Sequence, residues 1–134
     1  MCSSMHEWRS HTAEIELWIE TATPEQVFVE AATALAELVS LDREGDEERH
    51  ELTLAASDRG ALLVDWLQEL IFLADTDGFV PERVDDLQLA ETTLRATLAG
   101  RRGRIEPLVK AATYHGLEFA RADGVWHARV VLDV

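Results

Sequence analysis

A single cysteine, Cys2, stands in 134 residues, so the chain can close no internal disulfide and has no set of thiolates for a structural zinc site. Glycine (7) and proline (3) are also scarce, which excludes collagen-like and low-complexity chains. Bases are few, with 12 Lys and Arg against 26 Asp and Glu for a net charge of -14. Nucleic-acid binders draw much of their affinity from cations on phosphates, so no tight unaided grip on RNA or DNA is expected. The imbalance favours cations or a basic protein surface as partners, although high charge also serves solubility alone. No apolar run approaches the roughly 20 residues of a membrane helix, and Met1–Arg9 lacks the apolar centre of a signal peptide. The expectation is a cytoplasmic protein with no membrane contact. Neither a Gly-rich phosphate loop nor a serine in a strained Gly-flanked turn is present, and Cys2 sits in a terminal stretch poorly suited to a nucleophile.

What is there is one domain's worth of chain, 47% hydrophobic, with its charge unevenly spread. Residues 1–100 carry 22 acids and 6 bases, and residues 101–134 carry 4 acids and 6 bases. Ala13, Ile15, Leu17 and Ile19 alternate with Thr12, Glu14, Glu16, Trp18 and Glu20, which predicts a half-buried strand. Thr23-Pro24-Glu25 is a helix start, and Val27, Ala31, Ala34, Leu35 and Leu38 at helical spacing predict an amphipathic helix over 24–39. Six acids and a glycine in 41–51 read as a solvated loop, followed by a short strand at Leu52, Leu54 and Ala56.

Asp58 is placed to cap a second helix, whose broad stripe of Leu62, Leu63, Trp66, Leu67, Leu70 and Ile71 marks it as the more buried of the two. Asp77-Gly78 stops it, because glycine takes the left-handed conformation a helix end demands. Alternation at Leu87 and Leu89, then at Leu94, Ala96 and Leu98, predicts a hairpin, and Arg101–Arg104 reads as a loop able to hold a phosphate or simply solvated. Val109, Ala111, Thr113, Leu117 and Phe119 predict a strand with those residues inward. Asp123-Gly124 turns into a last strand with Trp126, Ala128, Val130, Leu132 and Val134 inward. The order β-α-β-α followed by strands defines a single compact α+β domain.

Two carboxylates stand out by their placement. Alternation puts Glu14 opposite Ile15 and Leu17, and Asp133 opposite Leu132 and Val134, so both face outward. If the two strands are neighbours, the carboxylates converge beside the terminal carboxylate of Val134, three oxygens of the kind a hard cation such as Ca²⁺ or Mg²⁺ takes. The alternative is a pair of solvated surface acids. An EF-hand reading of Asp75-Thr76-Asp77-Gly78 fails, since Leu73 and Val84 would occupy its first and last ligand positions.

The run His11-Thr12-Ala13-Glu14, the helix Leu62 to Leu70, the strand Val109 to Leu117 and the terminal Val131-Leu132-Asp133-Val134 together resemble the archease family. The resemblance runs from about residue 8 to the C-terminus in unbroken order, with matching lengths between the blocks. It implies one archease-like domain over 1–134, with 1–9 a poorly ordered N-terminus, built from a mixed β-sheet and two amphipathic helices. It further implies an activator of an RtcB-type RNA ligase in tRNA splicing and RNA repair. Such an activator is not itself an enzyme; it promotes metal-dependent guanylylation and repeated turnover of the ligase.

By the same resemblance, the metal ligands are Glu14, Asp133 and Val134, and the ion is Ca²⁺ or Mg²⁺, with Mn²⁺ a further candidate. Position 14 departs from the family, whose acid there is usually Asp; the extra methylene is better tolerated by Ca²⁺, with its flexible shell, than by Mg²⁺. His11, Asp58, Asp65, Glu69, Lys110, Tyr114 and His115 are candidates for partner contact or support. The alternative function is a stand-alone metal-dependent hydrolase or phosphotransferase, but the sequence offers acids without the convergent base and electrophile that such chemistry needs.

Overall fold

The computed structural model describes residues 4–11, 14–106 and 108–134. Cys2, Thr12 and Ala13 lie outside the described residues. The chain runs β1 (Met5–His11), β2 (Glu14–Thr21), α1 (Pro24–Val39), β3 (Glu44–Ala55), α2 (Arg59–Asp77), β4 (Phe79–Leu89), β5 (Thr93–Arg102), β6 (Ala111–Ala122) and β7 (Val125–Asp133). The α+β class and its two helices are as the sequence implies. The mixed β-sheet that the resemblance implies is instead two sheets, a four-stranded one in the order β1-β2-β7-β6 and a three-stranded one in the order β3-β5-β4, and every named pair is antiparallel.

Local chemistry explains the helices. Thr23 caps α1 by accepting from the Gln26 N–H at 3.3 Å, and Pro24 occupies the first turn, where its missing donor costs nothing. Asp58 caps α2 through the Ala61 N–H at 2.8 Å. At the other end Gly78 takes φ 67°, left-handed as expected, and its N–H returns to the Ala74 carbonyl at 2.9 Å. The two helices are tied where the buried Trp66 indole donates to the Phe28 carbonyl at 3.0 Å. α1 touches β2 and β4, and α2 touches β4 and β6, so the helices bridge the sheets and one core forms between them. Leu17, Val130 and Leu132 from one sheet and Leu94, Ala96 and Leu98 from the other belong to that single cluster. No helix is long and apolar enough to cross a membrane.

Three sequence expectations are corrected. Residues 5–9, expected to be poorly ordered, belong to β1; Trp8 packs against the core, and His6 meets Glu30 of α1 at 2.6 Å and Glu37 at 3.1 Å, anchors no periodicity announces. Most of the acidic stretch 41–51 is strand β3, stabilised by cross-strand arginines rather than by apolar burial: Arg95 donates to Glu51 at 2.9 Å and Arg102 to Glu48 at 2.6 Å. On β6, Ala112 faces the core where Ala111 and Thr113 were expected. The register breaks between Thr113 and Glu118 around Gly116 (φ 66°), so one alternation cannot run through both halves of the strand.

Candidate metal centre

β2 and β7 are neighbours, and Glu14 pairs directly with Asp133. Directly opposed residues of an antiparallel pair share a face with Cβ atoms about 4.5–5.5 Å apart, so the two carboxylates rise side by side from the outer face. Asp133 is exposed and Glu14 half-buried. Among the described residues neither side-chain carboxylate makes a hydrogen bond or ion pair, although Glu14 contributes longer-range attraction to Arg129. Like charges in direct opposition are unfavourable without a cation between them, and carboxylate oxygens are the donors a hard cation takes; the residues fit such an ion. Among the described residues no group of three His, Cys, Asp or Glu side chains gathers to hold a metal, so this carboxylate pair offers two donor groups.

The other candidates divide by position. His11 pairs with Glu14 across β1 and β2, in the same row as Asp133, and its side chain lies outside the described residues. Lys110 is exposed, and its backbone N–H donates to the Asp133 carbonyl at 2.8 Å, fixing the end of β7 from the β6 side. Asp65 belongs to a separate cluster: it accepts from the Tyr114 hydroxyl at 2.8 Å, a bond that, with lesser desolvation, pushes the phenol above its ordinary pKa. One turn on, Gln68 accepts the Ala112 N–H at 3.0 Å, so this face of α2 seals the β6 edge, and Glu69 beside it is half-buried. His115 is exposed in the β6 irregularity. Asp58 serves as the α2 cap, far from the carboxylate pair.

Sequence reasoning missed Glu16 and Arg129. Glu16 was expected on a solvated face, yet it is 8% exposed and accepts from Arg129 Nε at 2.7 Å and from the Trp18 indole at 3.1 Å. The Arg129 guanidinium also donates to the Gly116 carbonyl, and its pKa is raised chiefly by the bond to Glu16. This pair sits on the same outer face as Glu14 and Asp133, Glu16 two positions along β2 from Glu14 and Arg129 four positions along β7 from Asp133, and its only advance signal would have been the β2–β7 register. The Arg101–Arg104 cluster is committed as well: Arg101 meets Glu82, Arg102 meets Glu48, and Arg104 meets Asp42. Arg101 and Arg102 end β5 rather than forming loop.

The Archease protein family model matches residues 6–134. The chain belongs to the archease family. Among curated archeases, that of Methanosarcina mazei is 32% identical over 139 residues, covering 96% of this chain and 95% of that protein. That of Methanopyrus kandleri is 36% identical over 133 residues, covering 92% and 95%. The solution structure of a Methanobacterium thermoautotrophicum protein superposes with a TM-score of 0.70 at 31% identity, covering 96% of this chain and 98% of that one. The crystal structure of a Thermotoga maritima protein, described as an archease and possible chaperone, gives a TM-score of 0.67 at 27% identity, covering 97% and 98%. Both likenesses cover nearly the whole of this archease fold.

Proposed function

We propose that this archease is a non-catalytic activator of an RtcB-type RNA ligase, acting in tRNA splicing and RNA repair. It would do so by presenting a divalent cation that promotes guanylylation of the ligase and restores its turnover. The observation that carries the reading is the direct opposition of Glu14 and Asp133 on an outward sheet face. Family membership supports it, and so does the net charge of -14, which suits a ligase surface made basic by its RNA and nucleotide substrates.

In this mechanism Glu14 and Asp133 would hold the ion, and Val134 would add a third oxygen through the carboxylate that the family resemblance assigns. Ca²⁺, Mg²⁺ and Mn²⁺ are the candidate ions, and the ion's contribution is to neutralise phosphate charge during nucleotidyl transfer. The backbone N–H of Lys110 bonds the Asp133 carbonyl, and the Glu16–Arg129 pair ties the neighbouring stretch of β2 to β7. Ligase guanylylation and multiple-turnover joining, measured with and without the purified chain, test the proposal. Absence of stimulation overturns it, and turnover of nucleotides or RNA ends by the chain alone replaces it with a hydrolase or phosphotransferase.

A further inference from the structure

At the opposite end of β7, about 23 Å from Asp133 at the usual strand rise, lies a cleft that the proposed activation does not use. It has a volume of about 470 Å³ and is bounded by Asp58, Arg59 and Gly60 of α2, Glu91 of the β4–β5 turn, and Leu117, Phe119 and Trp126 of β6 and β7. This size is within the range of small-molecule pockets. One wall of an otherwise polar lining is apolar: the Phe119 and Trp126 rings lie 5.7 Å apart between centroids, and Leu117 joins them, all three only half-buried.

Arg59 is the unusual member. Its guanidinium lies 5.6 Å from the Trp126 ring centroid, and its side chain is only 22% exposed. Nε is buried without a hydrogen-bond partner. The one acid paired with it, Glu91, is 83% exposed and stands off at 3.6 Å, beyond hydrogen-bond reach. Helix stability does not explain the residue, because a cation in the first turn opposes the helix dipole. Among the described residues no acceptor lies at hydrogen-bond distance from any nitrogen of this guanidinium, and it adjoins uncovered aromatic surface. Asp58 and Glu91 on the walls disfavour a dianion, and a single guanidinium matches the planar fork of one carboxylate.

We propose that this cleft binds a hydrophobic monocarboxylate, its carboxylate on Arg59 and its apolar body on Leu117, Phe119 and Trp126. Two sources carry that chemistry: a free aryl-alkyl acid and the C-terminus of a peptide ending in an aromatic residue. The test is an NMR titration of the full chain, following the Arg59 and Gly60 amides and the Trp126 indole. The probes are 3-phenylpropionate, acetyl-Gly-Gly-Phe as the free acid, and the same peptide as its C-terminal amide.

Both acids are expected to shift these signals, with the amide weaker by at least about tenfold. Tighter binding of the peptide acid assigns a chain terminus, and tighter binding of phenylpropionate assigns a free acid. Arg59→Met keeps the apolar stem and should weaken both acids by about tenfold or more. Glu91→Gln removes an exposed repulsive charge without touching the core and should tighten them by about two- to threefold. Equal binding of acid and amide, unchanged binding by a folded Arg59→Met, no gain in Glu91→Gln, or inorganic phosphate competing as well as the acids would each overturn the proposal.

Discussion

Across the three-stranded sheet Glu51 meets Arg95 at 2.9 Å, Glu48 meets Arg102 at 2.6 Å, and Glu82 holds both Arg101 and Arg43, whereas on the four-stranded sheet Glu14 and Asp133 face one another with no basic side chain paired to either among the described residues. The same side-chain chemistry is thus put to two uses. In the first region acids and arginines stand in matched partnership, which lets a sequence with little apolar alternation form β3. In the second, two carboxylates are held together at a strand end where backbone pairing, not charge, sets their distance. Between these extremes lies the Glu16–Arg129 pair, buried on the same face as the open carboxylates. Charge in a sequence therefore says little until its partners are known.

The largest effect is expected from Asp133→Ala. Ligase activation should be nearly abolished, and Ca²⁺ affinity measured by calorimetry should fall by more than about 100-fold, beyond what outer-shell changes produce. Stability without metal should change by about 0.5 kcal/mol or less, because the residue is exposed and removes no core volume. In the wild-type protein, Ca²⁺ at 100 times its dissociation constant should add about 2.7 kcal/mol, and the same concentration no more than about 0.4 kcal/mol in this variant. Glu14→Ala should behave like it, while Glu14→Asp should retain activation. Normal stimulation by a folded Asp133→Ala would remove the carboxylate pair from the mechanism.

Breaking the buried pair comes next. Glu16→Ala leaves Arg129 and the Trp18 indole short of an acceptor and should cost roughly 2–3 kcal/mol in urea denaturation, far more than any exposed acid. Gly116→Ala attacks the same pair from the other side. Its φ is positive, and an added Cβ would stand 2.1 Å from Arg129 Nη1, so a loss of about 1–2 kcal/mol is expected. A loss as small as that of a surface substitution in both variants would show that this pair is no more than solvated charge.

The smallest effect belongs to the matched sheet. Glu82→Gln should cost only about 0.5 kcal/mol, since its bonds to Arg101 and Arg43 are partly solvated. Its pH dependence carries more information. Hydrogen bonds from arginines hold Glu82 and Glu48 below the ordinary glutamate value, and the Arg104 backbone and side chain do the same for Asp42. A carboxylate whose folded pKa is depressed stabilises the fold above its unfolded pKa and loses that contribution as pH falls through the folded one. Stability should therefore decline below the ordinary carboxylate range, and Glu82→Gln should flatten that decline in acid-unfolding curves. An unaltered acid limb would place the titrating groups elsewhere.

Much of this was legible in the residues. Thr23-Pro24 and Asp58 start the helices and Gly78 ends the second, because caps and left-handed positions are decided within a few residues of chain. The outward faces of Glu14 and Asp133 followed from alternation, since strand period is a local property. Less legible was anything that depends on the neighbouring strand. The 5–11 segment lacks a pattern because its anchors, Glu30 and Glu37, lie on α1, and β3 reads as loop because its support is arginine from β5. The inward turn of Ala112 was hidden by the irregularity that follows it.

The class of fold, both helices with their ends, and the outward placement of Glu14 and Asp133 were all written in the sequence alone, because each depends on short-range spacing and capping chemistry. Only the tertiary structure decided that β7 lies between β2 and β6, that Glu14 stands opposite Asp133, that Glu16 is buried against Arg129, and that Arg59 meets Trp126 at the edge of a cleft. The physical reason is separation along the chain. Glu16 and Arg129 are 113 residues apart, and which distant strand comes to lie beside which is settled by the packing of both sheets onto one pair of helices, a property of the whole core.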